Sequence, residues 1–166
     1  MRSTTSWWAS KVRRFRTHLR ASVAPAERSE LATWISPAQL ALFESMHVAD
    51  RRHGLDVVTS LRGAGVVSPD ALLAGLLHDS GKDRMGAWPR VTYALGDHYG
   101  HWIWRAAALL PGVGPAQERL RRHAEASADL AAAAGCPART VELIRHQEAP
   151  TDPEFGELLR LADEAN

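Results

Sequence analysis

Apolar residues recur along this chain at helical spacing, and no stretch alternates with period two for long enough to make a convincing strand. Near the start, Trp8, Val12, Phe15 and Leu19 sit at i, i+4, i+7 and i+11, a narrow stripe with most of the arginines on the opposite face. Ser36 followed by Pro37 reads as an N-cap with proline at the first helical position, opening a helix over 37–46. The next helix covers 50–61 and stops at Gly63 and Gly65. Ser68-Pro69 repeats the start signal before a short, very apolar helix over 70–77, which ends in His78-Asp79-Ser80-Gly81-Lys82. Residues 88–95 and 98–110 are apolar and expected to be helical, with a break at Pro111-Gly112-Val113-Gly114-Pro115. The alanine-rich run over 115–134 favours helix and close helix contacts, and Gly135 ends it. Further helices are expected over 137–146 and 153–165. The expectation is an all-α single domain of about six to eight helices, with no internal repeat and no long linker.

Length and composition agree with one soluble globular unit: 166 residues, 45% hydrophobic and 23% charged. No apolar run approaches the ~20 residues of a spanning helix. Cys136 is the single cysteine, so neither a disulfide framework nor a cysteine-rich zinc site is available. Cys136 itself reads as a small buried apolar residue.

Charge changes the picture at one end. The net charge is +1, yet Arg2, Lys11, Arg13, Arg14, Arg16 and Arg20 precede the first acid, Glu27. The first 26 residues therefore form a basic amphipathic arm, and residues 27–166 a mildly acidic body. Two readings of the arm stand side by side. In one it lies on an anionic membrane surface through residues 7–20, aided by Trp7 and Trp8. In the other its stripe packs on the body. No apolar h-region follows the first arginine, so a signal peptide is not expected, and the expected location is cytoplasmic, peripheral at the membrane under the first reading. A specific nucleic-acid partner is not expected, because the body is acidic and the basic stretch has only two adjacent aromatics.

The histidines carry the chemistry. There are eight, and His53, His78 with Asp79, His123, His146 and Asp163 each fall on a different expected helix or at a helix end. Metal sites in helical proteins are assembled in this way, from facing helices. An apolar helix that ends in a His-Asp pair must pair those groups or bind them to a metal if they are buried. His18, His47, His98 and His101 have no ligand spacing around them and read as capped or hydrogen-bonded residues.

The order His53, then His78-Asp79, then Asp163 resembles the HD-domain superfamily of metal-dependent phosphohydrolases. Asp50-Arg51-Arg52-His53-Gly54-Leu55-Asp56-Val57 is similar to the helix with the first ligand. Ala74-Gly75-Leu76-Leu77-His78-Asp79-Ser80-Gly81-Lys82 resembles the HD helix with its glycine-lysine, and Leu158-Leu159-Arg160-Leu161-Ala162-Asp163 the helix with the last aspartate. The resemblance covers residues 40–166. The phrases around His123 and His146 are similar to the extra histidine motifs of the binuclear branches, which include HD-GYP cyclic-di-GMP phosphodiesterases and HD-type diadenosine tetraphosphate hydrolases.

The resemblance implies an HD-type helical domain in which His53, His78, Asp79 and Asp163 hold one metal, and Asp79 bridges to a second held by His123 and His146. It implies hydrolysis of a phosphate ester by a metal-activated hydroxide, the substrate being a nucleotide or another small phosphorylated molecule. Imidazoles with carboxylates suit Fe, Mn, Co, Ni or Zn better than magnesium. Asp79 and Lys82 are the expected catalytic residues, and Lys82, Arg84 and Arg90 the candidates for substrate phosphate. The chain departs from the pattern at Gln147, where many relatives have histidine or threonine, and Glu148-Ala149-Pro150 stands where a Gly-Tyr-Pro signature would be. Cyclic-di-GMP is therefore not the expected substrate. The alternative is a catalytically silent HD module with a structural metal, acting as a sensor or docking through its arm.

Overall fold

The computed structural model describes residues 21–82 and 122–166. Among them are seven α-helices and no strand: α1 Pro25–Leu31, α2 Pro37–Ser45, α3 Val48–Gly63, α4 Pro69–Leu77, α5 His123–Ala133, α6 Ala138–Arg145 and α7 Gly156–Ala165. A 3-10 turn, Ser80–Lys82, follows α4. The all-α reading holds. The stripe over 8–19, the expected helices over 88–95 and 98–110, and Arg84 and Arg90 lie outside the described residues.

The start of α2 is a reciprocal cap. Ser36 Oγ accepts the Gln39 N–H at 3.2 Å, and Gln39 Oε1 accepts the Ser36 N–H at 2.9 Å. His47 caps α3, its Nδ1 accepting the Ala49 N–H at 3.2 Å, in keeping with its reading as a hydrogen-bonded residue. Ser68 precedes α4 as expected, although its side chain makes no capping hydrogen bond.

Glycines close α3 and α5 in the same way. Gly65 has φ 87° and Gly135 φ 73°. In each case the next residue bonds back five positions, Val66 N to Leu61 O and Cys136 N to Ala131 O, both at 3.0 Å.

Two sequence expectations are corrected. α1 was not expected; it is seven residues long, too short to show periodicity, and starts with Pro25 and a hydrogen bond from Ala24 N–H to Glu27 Oε2 at 2.8 Å. The division placed at residues 26 and 27 falls inside it. The last helix begins at Gly156 rather than at 153, because Asp152 Oδ1 first accepts the N–H groups of Glu154 and Phe155 in a turn.

α4 is the central rod. Ala71 through Leu77 are all buried, so its apolar character is needed on every side. It packs on α3, α6 and α7, and touches α2. Val57, Leu61, Leu76, Leu77, Ile144 and Leu159 meet in the core around it. The approach of α3 to α4 is close because Gly54 has no side chain: a Cβ there would lie 2.5 Å from the Leu76 carbonyl oxygen. The end of α4 is thereby held deep in the protein, and whatever residues follow Leu77 emerge among α3, α5, α6 and α7. Among the described residues no helix is long and apolar enough to cross a membrane.

Candidate metal centre

The apolar helix α4 delivers two polar residues into the interior. His78 is 1% exposed and Asp79 2%. Burying them is costly unless each finds a partner. His78 Nδ1 lies 2.9 Å from the Gly75 carbonyl, which fixes the hydrogen on Nδ1 and leaves the Nε2 lone pair pointing away from the helix. That Nε2 has no hydrogen-bond partner, and neither has Asp79 Oδ1.

α3 and α7 bring the remaining groups. His53 Nε2 lies 2.8 Å from Asp163 Oδ1, and His78 Nε2 3.4 Å from the same oxygen. The ligand atoms of His53, His78 and Asp163 all fall within 4.8 Å of one another, so this group could hold a metal ion. Asp79 flanks it, with Oδ1 3.4 Å from His78 Nε2 and Oδ2 4.0 Å from His53 Nε2. Donors bound to one ion at ~2.1 Å stand ~3.0–3.4 Å apart at tetrahedral or cis-octahedral angles, against observed spacings of 2.8–4.0 Å. The bare Nε2, the bare carboxylate oxygen and the mixed imidazole–carboxylate donor set all suit a divalent transition metal.

Lys82 completes the inner charge balance. Its Nζ is 2.6 Å from Asp79 Oδ2, one 3-10 turn further along. Burial works against charge on Lys82, but Asp79 outweighs it and raises the ammonium pKa. For Asp79, burial pushes upward, while His78, Lys82 and His53 together hold the carboxyl well below its usual range. Asp163 behaves alike: burial opposes its charge, and the hydrogen bond with His53 and the nearby His78 ring hold it low. His78 is raised, because Asp79 and Asp163 overcome the burial that disfavours its cation.

The outer histidines differ. His123, at the start of α5, has Nε2 3.9 Å from Asp79 Oδ1 on the side away from Lys82's oxygen, and Nδ1 3.9 Å from Glu148 Oε1. His146, at the end of α6, is 40% exposed, and its Nε2 lies 3.3 Å from Glu142 Oε2. It is not part of the His53, His78 and Asp163 group.

Further residues support the centre from outside the ligand group. Gln147 Nε2 donates to the His78 carbonyl at 3.2 Å, from a position only 6% exposed. Ser127 Oγ accepts the Gly81 N–H at 2.8 Å and locks the 3-10 turn against α5. A Cβ on Gly81 would meet Ser127 N at 2.6 Å and His123 O at 2.7 Å. Asp50 is 4% exposed and its charge acts on Lys82, whereas Asp56 belongs to a pair with Arg52 at 2.9 Å.

Exposure is graded across the centre. His78 and Asp79 are enclosed, while the side chains of His53 and Asp163 are 23% and 42% exposed. The group is closed from the α4 side and open toward solvent on the other. Compared with known proteins, the chain matches no protein-family model, no curated protein and no solved structure.

Proposed function

We propose that this protein is an HD-type metal-dependent phosphohydrolase acting on a nucleotide or another small phosphorylated substrate. One observation carries the reading. His53, His78 and Asp163, 110 residues apart from first to last, bring their ligand atoms together beside the Asp79–Lys82 pair, with one side open. A purely structural metal site has its donors closed around the ion, whereas a catalytic one keeps a position open.

His53, His78, Asp79 and Asp163 would hold the ion. When bound, a divalent ion such as Fe, Mn, Co, Ni or Zn supplies Lewis-acid polarisation of a phosphoryl oxygen and lowers the pKa of water at the site. The rest of the work falls to the chain. His78 is kept in one tautomer by Gly75. Asp79 carries negative charge that a proton does not neutralise near neutral pH. Lys82, 24% exposed at its side chain, supplies a cation for a phosphate oxygen and orients Asp79. A second ion would share Asp79 with His123, and His146 would join only by leaving Glu142.

The test is the metal-to-protein ratio after anaerobic purification, with hydrolysis of a phosphomonoester and a phosphodiester on the same sample. The expected result is at least one transition-metal ion per chain and turnover of one ester class, both lost in Asp79→Ala. Metal retained in full by Asp79→Ala overturns the site. Bound metal without turnover on either ester rejects the enzyme and leaves a structural metal.

A further inference from the structure

α7 presents three faces. Gly156, Leu159 and Ala162 are buried against the body. Glu157, Arg160 and Glu164 form a charged face, on which Arg160 pairs with both acids. Leu158, Leu161 and Ala165, at i, i+3 and i+7, make a third face that is apolar and exposed. Leu158 is 37% exposed and Leu161 48%. The described residues hold two other exposed large hydrophobics, Val67 and Leu130, each in a different part of the chain. A helix already anchored by one apolar stripe has no packing need for a second, and such a stripe suits a partner segment.

The surroundings of that face are acidic. Residues 152–166 hold Asp152, Glu154, Glu157, Asp163 and Glu164 against Arg160 alone. With Arg139 of α6 counted there are still five acids for two arginines. A complementary segment stands in the same chain. The first 26 residues carry six bases and no acid, with Trp8, Val12, Phe15 and Leu19 on one stripe. An apolar stripe flanked by arginines matches an apolar face flanked by glutamates.

The connection between them is short. Val23, four residues past Leu19, packs against the core. α1 follows it and is tied to α3 by the pairs Glu27–Arg52 and Glu30–Arg62. α7 is tied to the same helix, Asp163 to His53 and Asn166 to Ser60. A segment tethered this closely acts at an effective concentration on the order of mM, so a small face suffices. Two other occupants fit less well. Residues 83–121 join the described chain at the 3-10 turn and α5, whose main packing is against each other, α2 and α6, whereas α7 packs on α3 and α4. A second copy would set one acidic face against another.

We infer that residues 8–19 dock on the outer face of α7, their apolar stripe against Leu158 and Leu161 and their arginines toward the surrounding acids. The docked arm lies on the helix that contributes Asp163 to the ligand group. The inference stands apart from the chemistry of the centre.

The experiment is tryptic cleavage of the full chain, with cuts at Lys11, Arg13, Arg14, Arg16 and Arg20 followed by mass spectrometry. Cleavage tracks the population of undocked arm. Leu161→Glu is expected to raise the initial rate at these sites at least about tenfold, with cuts within residues 27–166 unchanged. Leu158→Glu does the same and serves should the first variant lose its helical circular dichroism. Val67→Glu, at an exposed apolar position elsewhere, is expected to leave the rate unchanged. Equal rates in the unsubstituted chain and both α7 variants overturn the inference. So does a rise shared by sites throughout the body, which marks general loosening. Protection that appears only as protein concentration rises overturns it in favour of a second copy. Protection that appears only with phosphatidylglycerol vesicles overturns it in favour of an anionic membrane.

Discussion

Gln147 reaches from the end of α6 to donate its side-chain N–H to the backbone carbonyl of His78, at 3.2 Å. The bond fixes the residue at which α4 ends and the buried His-Asp pair begins. Gln147→Ala removes the donor and leaves a buried carbonyl without it, at a cost of about 1–3 kcal/mol. Partners of this kind also tune ligands, and their loss lowers metal affinity on the order of 10–100-fold. Denaturant unfolding of the metal-free protein measures the first effect and a metal titration the second. A stability loss with unchanged metal affinity would confine Gln147 to packing.

The contact between Gly54 and Leu76 predicts a substitution that defies helix propensity. Gly54→Ala gains up to ~1 kcal/mol in α3 from propensity alone. The new methyl would meet the Leu76 carbonyl oxygen at 2.5 Å, and a backbone oxygen yields only if the whole helix moves. Overpacking of this sort costs about 1–3 kcal/mol. The balance is destabilising, and because His53 and His78 ride on the two helices forced apart, metal affinity is expected to fall as well. The check is thermal unfolding with and without metal; a Tm at or above that of the unsubstituted chain contradicts the close approach.

Much of the fold is legible because helix starts carry local chemistry. Ser36-Pro37 and Ser68-Pro69 announce α2 and α4 within a residue, and Gly65 and Gly135 stop α3 and α5 through a left-handed backbone that needs no distant contact. α1 escapes because its ends are marked only by Pro25 and Glu27. At the centre, the convergence of His53, His78 and Asp163 is what the resemblance of their order to the HD pattern implies. The facing of His146 toward Glu142 is not, since an i, i+4 pair on the same helix end competes with any distant partner. Gln147 reads in sequence as an altered ligand position, and only packing shows that it holds the His78 carbonyl.

Arg139 and Asp152 tie α6 to the turn that launches α7, and the tie is pH-dependent. Arg139 Nε lies 2.8 Å from Asp152 Oδ2, and its guanidinium sits over the Phe155 ring at 4.6 Å. The hydrogen bond from Arg139, helped by the Phe155 N–H, brings the Asp152 pKa down to about 2, against ~3.9 in an unfolded chain. A folded value below the unfolded one stabilises fully above about pH 4, and that contribution disappears as pH falls toward about 2. Asp152→Asn keeps the Oδ1 acceptor for the turn and removes only the charge. Its Tm is expected to lie below that of the unsubstituted chain at pH 7, with the gap narrowing below about pH 4. A gap independent of pH would assign the effect to the turn rather than to the charge.

Asp163→Asn separates a metal centre from a hydrogen-bonded cluster. The amide retains an oxygen that accepts from His53, whose Nε2 is 2.8 Å from Asp163 Oδ1, so the packing is kept, while loss of a carboxylate held below its usual pKa lowers the metal-free Tm, and the metal-induced rise is read from that lower baseline. The anionic donor, however, is gone. For the unsubstituted chain, metal at about 100 times its Kd stabilises the folded state by about 2.7 kcal/mol. At ~2–4 °C per kcal/mol for a chain of this size, that is a rise of roughly 5–11 °C. Asp163→Asn is expected to abolish the rise at the same metal concentration. If the rise survives, the ion binds elsewhere in the protein. If the unsubstituted chain shows no rise with Fe, Mn, Co, Ni or Zn, the three groups stabilise the fold through their mutual hydrogen bonds alone. The amide decides between these where alanine would not, because it alters charge while leaving the neighbouring packing and the His53 contact in place.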